Sequence, residues 1–273
     1  MREFFGFGGY QREPEGYMSA EHLIFVSSVM AVMIAAGIII GLLYRHKTDK
    51  EKNKVIVIAA ILIDVIELFK IVLICIRGSD PLGWLHMLPL FLCSIFLIAL
   101  PIAAFSNGRL KEASLDFIFI FGVLIAFLGT YGAGQNYGCY PVLSFDNVVS
   151  AVTHAISGFS SLYIAVSGML SMKKENIYIT FSIITGFCIA AYTVNRIIDY
   201  NYMFLMRGDG TPYDIFYNLV KGNPVLYPLT VYLMFIAYIA VFYLVFYLIK
   251  KRRAKKADRD KEAETAGTVK EEI

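Results

Sequence analysis

Residues 22–44 read HLIFVSSVMAVMIAAGIIIGLLY, and Arg45-His46-Lys47 follow at once. The run contains no Asp, Glu, Lys or Arg. At about 1.5 Å of rise per residue, a helix of this length crosses the roughly 30 Å hydrocarbon core of a bilayer. It is too long for the apolar stretch of a signal peptide, and it ends on bases instead of a small-residue cleavage site. Arg2, Arg12, Glu3, Glu13, Glu15 and Glu21 precede it, so the start of the chain is not a basic leader region. The stretch predicts a membrane-spanning helix, with residues 1–21 as a separate segment before it.

Six further stretches share this character: roughly 55–76, 88–105, 115–134, 147–170, 177–199 and 227–249. The whole chain agrees with them. Of its 273 residues, 58% are hydrophobic and 17% charged, against about 45–50% and 25% in soluble domains. The fold class predicted is all-α, a polytopic bundle of seven transmembrane helices over 22–249. The third stretch is short and carries Pro89 and Pro101, so irregular ends are expected where neighbouring helices satisfy the freed backbone groups.

Lys and Arg placement sets the orientation. The segments 45–54, 106–114 and 171–176 and the tail 250–273 together hold eighteen of them. The alternate segments hold only Arg2, Arg12, Arg77, Arg207 and Lys221. This bias predicts an N-terminus outside and a cytoplasmic C-terminus in a multi-pass protein of the plasma membrane. The tail, poor in aromatics and rich in charge, is expected to extend the last helix briefly and then lose order. Its Lys250-Lys251-Arg252-Arg253 and Lys255-Lys256 cluster suits a topology anchor or contact with anionic lipid.

Ionisable side chains within spans are costly and mark candidate sites. Counted inward along their spans, Cys93 lies roughly 8 Å and His154 roughly 10 Å below the outer surface. Glu67 and Lys70 fall in the outer half of the second span; Asn195, Arg196 and Asp199 close the sixth. His22 opens the first span and His86 precedes the third. The inner half is less polar, with Asp64 near mid-depth and Asp116 read as a helix cap after Ser114. The shared level predicts one outward-facing polar cavity. A thiol and an imidazole at one depth suit nucleophilic chemistry, since the imidazole can take the thiol proton and release the thiolate.

Plainer readings stand beside this one. Glu67 with Lys70 and Arg196 with Asp199 are three residues apart and can simply neutralise one another. His154 can act as interhelical hydrogen-bonding glue, and Cys93 as a small core residue. Cys75 and Cys139 share the outer side, where a disulfide can form; Cys188 reads as packing. Residues 213–220, between turn signals at Gly208-Asp209-Gly210 and Gly222-Asn223-Pro224, read either as a short interfacial helix lidding the cavity or as a plain loop. Tyr200, Tyr202, Tyr217 and Tyr227 fit an interfacial aromatic belt.

The stretch Trp84-Leu85-His86-Met87-Leu88-Pro89-Leu90-Phe91-Leu92-Cys93 resembles the LPLxLC signature of the YwaF-type bacterial integral membrane family. His154 is similar to that family's intramembrane histidine. Asn201-Tyr202-Met203-Phe204-Leu205 resembles its NYxFL motif, and Ser19-Ala20-Glu21-His22-Leu23 its entry to the first span. The resemblance covers roughly 15–250. It implies kinship with a vertebrate acyltransferase that places polyunsaturated chains on ether phospholipids. More distantly it implies kinship with androgen-induced hydrolases of fatty acid esters of hydroxy fatty acids. Carried over, it makes Cys93 the nucleophile and His154 the base. Depth favours a phospholipid acyl donor over cytoplasmic acyl-CoA. Asn195, Asn201 and Arg196 are then the candidate oxyanion donors, Glu67 the candidate to orient His154, and His22 a supporting residue at the outer mouth.

The competing class is a transporter or a lipid- or small-molecule-binding bundle. Polarity concentrated on one face favours an enzyme or a binding site over a transporter, because a transporter must open its site to both. The last span holds no lysine, which argues against a retinal Schiff base. The sequence has no nucleotide-binding glycine loop, no cysteine or histidine spacing for a metal, and no nucleic-acid surface. No cofactor is expected, and the partners implied are the membrane and a phospholipid or other acyl lipid.

Overall fold

The structure, a computed structural model, describes residues 2–78 and 82–271, with side chains through Lys256. The far end of the predicted tail therefore lies outside the described side chains. The described residues form helices and connecting turns, without strands. In chain order these are α1 (Ala20–Tyr44), α2 (Asp49–Arg77), α3 (Phe96–Phe105), α4 (Gly108–Thr130), α5 (Gly134–Cys139), α6 (Phe145–Ser167), α7 (Ile177–Ile198), α8 (Asp214–Leu219) and α9 (Leu226–Glu271). Local chemistry sets several ends. The Ser19 side chain caps α1, and Thr48 with Glu51 forms a reciprocal capping box on α2. Gly168, left-handed at φ 79°, closes α6.

Five of these helical stretches are long and apolar enough to cross a membrane, those built on α1, α4, α6, α7 and α9. Two of the seven predicted stretches differ from them. The 29-residue α2 has the length but carries Asp64, Glu67 and Lys70 through its middle. The third stretch is helical only over the ten residues of α3. Before it, residues 83–87 make a 3-10 turn and 88–95 run irregularly. Pro89 explains the break, because it removes one N–H and pushes the preceding residue out of the helical region; Leu88 sits at ψ 147°.

α4 is the central helix. Its apolar window is 67% buried, whereas those of α1, α7 and α9 are 22% buried. Phe117, Ile118, Phe121 and Ala126 are fully enclosed. The closest seam joins α4 to α6, where small residues let the backbones approach. A Cβ on Gly122 would lie 2.5 Å from the Ser157 carbonyl, and one on Gly158 would lie 2.7 Å from Ala126 Cβ. The outer faces carry large exposed apolar side chains such as Val32, Leu43, Leu68 and Ile189, the composition a lipid-facing surface requires.

Polar ties hold the two ends of the bundle. At one end the Asp116 carboxylate, fully buried, accepts from Ser171 N (3.2 Å), Met172 N (2.9 Å), Asn176 Nδ2 (2.9 Å) and Tyr243 OH (3.1 Å). Asp116 is thus not a helix cap. It lies two turns inside α4, whose N-cap is Asn107, and it pins the 168–176 connection to α4 and α9. At the other end Arg77 forms a two-pronged pair with Asp146 at 2.7 and 2.8 Å. The same guanidinium holds the Phe5 carbonyl at 2.9 Å, and the Tyr10 hydroxyl donates to Asp146. Phe5 packs against Phe69 and Phe145, so the N-terminal segment straps across the ends of α2 and α6.

Three further features bear on alternatives that the sequence leaves open or on the reading of the tail. Cys75 and Cys139 are free and exposed, with no disulfide between them. Of the two readings of 213–220, helix or plain loop, the structure has the helix, α8, which packs on α9 and does not line the cavity described below. α9 continues as one helix to Glu271, with no break after Lys250.

Candidate active site

Near the strapped end, α2, the entry to α3 and α6 enclose a cavity of about 50 Å³. Ile63, Glu67 and Lys70 face it from α2 at i, i+4 and i+7, one face of a helix. Ser150, His154 and Ser157 face it from α6 with the same spacing. Cys93, Ser94 and Leu97 come from the irregular turn and the first residues of α3. Cys93 and His154 therefore line one cavity, presented from different elements.

The His154 ring is fixed from two sides. Its Nδ1 lies 2.6 Å from the Ser150 carbonyl, which only accepts, so Nδ1 carries the hydrogen. Nε2 is left with its lone pair free. On the other side the ring rests on α4 at Gly129, where a Cβ would come within 2.0 Å of Cδ2 and 2.1 Å of Nε2. Any residue but glycine at 129 would occupy the space of the ring. Glu67, expected to orient His154, does not do so. It is buried and paired with Lys70 at 2.5 Å, and the Ser150 carbonyl holds the imidazole instead.

Cys93 is presented by a backbone that is pinned elsewhere. The Tyr202 hydroxyl accepts from Leu88 N at 3.1 Å and donates to the Leu85 carbonyl. Tyr202 is itself fully buried and clamped by Asn195, which donates to its carbonyl at 3.0 Å and accepts from its N–H at 2.7 Å. Asn201 donates to Arg207 O and Asp209 Oδ2 and accepts from Met206 N. Both amides are committed to the loop, Asn195 to backbone and Asn201 to backbone and Asp209, and neither lines the cavity. They hold the loop that holds the Cys93 turn. His86 stacks on Tyr200 in the same cluster, ring centroids 4.8 Å apart.

The remaining expected members lie elsewhere. Arg196 is exposed at the end of α7. His22 is fully buried, its Nδ1 accepting from Met18 N and its Nε2 3.3 Å from the Thr130 carbonyl, with Tyr137 against its ring. It seals the start of α1 onto α4. Sequence reasoning missed Gly129, Ser150 and Tyr202 as structural partners of the pair. Only Tyr202 carried a signal, as the tyrosine of the NYxFL resemblance.

Chemically, the cavity offers a thiol, an imidazole with one free nitrogen, several hydroxyls and a neutralised ion pair. Among the described residues no three His, Cys, Asp or Glu side chains gather as metal ligands. The TMEM164 family model matches residues 17–250, so the chain belongs to the TMEM164 family of membrane proteins. No curated protein and no solved structure matches it.

Proposed function

We propose that this TMEM164-family chain is a membrane-embedded lipid acyltransferase or lipid-ester hydrolase, with Cys93 as nucleophile and His154 as general base. The observation that carries the reading is the meeting of thiol and imidazole in one cavity, with His154 Nδ1 committed to the Ser150 carbonyl. Nε2 takes the thiol proton, and Cys93 Sγ attacks the ester carbonyl carbon of a phospholipid or other acyl lipid. The C–S bond forms, the ester C–O bond breaks, and the leaving alkoxide takes the proton back from His154. The resulting thioester then passes its acyl group to a lipid hydroxyl, or to water, deprotonated by the same Nε2. No cofactor is called for. The YwaF-type resemblance, with its acyltransferase and hydrolase kin, supports the same chemistry.

In this reading α2 and the 88–105 segment cross the plasma membrane beside the five apolar spans. The N-terminus lies outside and the C-terminus in the cytoplasm, as the eighteen-to-five bias of Lys and Arg supports. The cavity then opens to the outer leaflet, where phospholipid is the acyl donor at hand.

The test is mass spectrometry of the purified protein mixed with bacterial lipids, wild type beside Cys93→Ala and His154→Ala. The expected result is an acyl group on Cys93, absent in the first variant and slow to form in the second. An absence of both acylation and lipid turnover across a broad lipid panel transfers the site to a binding or transport role, with Cys93 and His154 as packing residues.

A further inference from the structure

Acyl transfer to a thiol passes through a tetrahedral intermediate whose oxygen needs hydrogen-bond donors. Asn195 and Asn201 are committed elsewhere, and Arg196 is exposed. The donors must then come from the cavity wall, where several polar hydrogens are already engaged. Thr153 Oγ1 donates to the Val149 or Ser150 carbonyl at 3.1 and 3.0 Å, and Ser157 Oγ donates to Thr153 O at 3.1 Å. Ser150 Oγ lies 3.4 Å from His154 Nδ1, at the ring nitrogen that does not take the thiol proton. Lys70 is paired with Glu67.

Ser94 is different. Its Oγ faces the cavity, and among the described residues its only partner is Cys93 Sγ at 3.9 Å. It adjoins the attacking sulfur in the chain. The backbone N–H groups of Leu92 and Cys93 also donate to no carbonyl or side chain among the described residues. They begin the turn whose first bonds are Ser94 N and Ile95 N to Phe91 O. Free N–H groups at the start of a helical turn point toward its open end.

We propose that the Ser94 hydroxyl, together with the free N–H at Cys93, is the oxyanion donor of this site. The inference rests on the acyl-transfer reading above. As Sγ bonds to the ester carbon, the carbonyl π pair moves onto oxygen. Ser94 O–H and Cys93 N–H donate to that oxygen without giving up a proton. When the C–O bond of the leaving group breaks, the pair returns to re-form the carbonyl of the thioester.

The experiment compares wild type, Ser94→Ala and Ser94→Thr as purified full chains, with two probes of Cys93 read by site-resolved mass spectrometry. The p-nitrophenyl ester of octanoic acid acylates through an oxyanion. Iodoacetamide alkylates the same thiol by displacement and forms none. Ser94→Ala is expected to slow acylation about 10²- to 10³-fold and to change alkylation far less, by no more than the loss of the 3.9 Å contact with Sγ entails. Ser94→Thr keeps the hydroxyl and most of the acylation rate. Acylation of Ser94→Ala at the wild-type rate overturns the assignment and leaves the nucleophile standing. An equal fall in alkylation also overturns it, because Ser94 would then act on the thiol and not on the oxyanion. A wild-type protein that alkylates at Cys93 but never acylates removes the acyl-transfer reading and the role of Ser94 with it.

Discussion

Gly129→Ala offers the sharpest test of the site geometry. The added Cβ would stand 2.0 Å from His154 Cδ2 and 2.1 Å from Nε2, where ordinary contact begins at 3.4 Å. The ring must therefore retreat by about 1.4 Å, the difference of those distances, or α4 and α6 must part. A retreat of that size breaks the 2.6 Å contact of Nδ1 with Ser150 O or carries Nε2 to another place in the cavity. Misplacement of a reacting group by about 1 Å costs on the order of 10²-fold in rate. Overpacking costs about 1–3 kcal/mol of stability. The assay is site-resolved iodoacetamide alkylation of Cys93 across neutral pH, alongside thermal unfolding. Reading Cys93 separately is necessary because Cys75 and Cys139 are exposed and will also react. Gly129→Ala should alkylate with the rate and pH profile of His154→Ala. Gly186→Ala is the control, since nothing lies within 4 Å of its added Cβ, and it should behave as wild type. Wild-type alkylation and unfolding in Gly129→Ala would refute the reasoning, for either the ring does not rest on that glycine or His154 does not govern the thiol.

Three more outcomes follow from the polar ties. Tyr202→Phe removes the acceptor of Leu88 N and the donor to Leu85 O; it should cost about 1–3 kcal/mol and raise hydrogen exchange over 85–93, whereas unchanged exchange there would show that the tyrosine does not hold the Cys93 turn. Asp116→Asn replaces an acceptor-only group with one that carries two donors, so several of its bonds to Ser171, Met172, Asn176 and Tyr243 fail. The loss should be on the order of 3 kcal/mol in thermal unfolding, with Cys93 alkylation unaltered because the knot lies at the opposite end of the bundle from the cavity. Burial pushes the Glu15 carboxyl up, but the hydrogen bond from Val142 N and the nearby Arg12 outweigh it and hold the group below its ordinary 4.5. A carboxyl lowered in the folded state stabilises above its ordinary value and loses that contribution as pH falls through the folded one. Acidification below about pH 4 should then expose the N-terminal segment to a protease while the bundle stays folded; a segment equally protected at both pH values would remove Glu15 from its anchoring.

How much of this site was legible in the sequence depends on how many coordinates each signal carries. Hydropathy and the rise of a helix give depth along the membrane normal, one coordinate of three. Depth grouped Cys93, His154 and Glu67, and these do line one cavity. It also grouped Asn195, Arg196 and His22, which lie at other azimuths. α7 packs chiefly with α9 and α4, and α1 packs on the far flank of α6. The missing azimuth is set by which helix occupies the centre. That in turn depends on the small residues Gly122, Ala126 and Gly129 of α4 meeting Ser157, Gly158 and His154 of α6. Such a seam leaves little trace in hydropathy, because glycine and alanine score as unremarkable in an apolar run. The sequence also predicts a span over 88–105 from composition, yet Pro89 leaves only the last ten residues helical. That failure of regularity is what frees the N–H of Cys93 and turns its thiol toward α6. A continuous helix through 88–105 would have tied that N–H to the carbonyl four residues back, at Pro89. The break in the fold and the free donor beside the thiol therefore share one cause, the proline of the LPL signature.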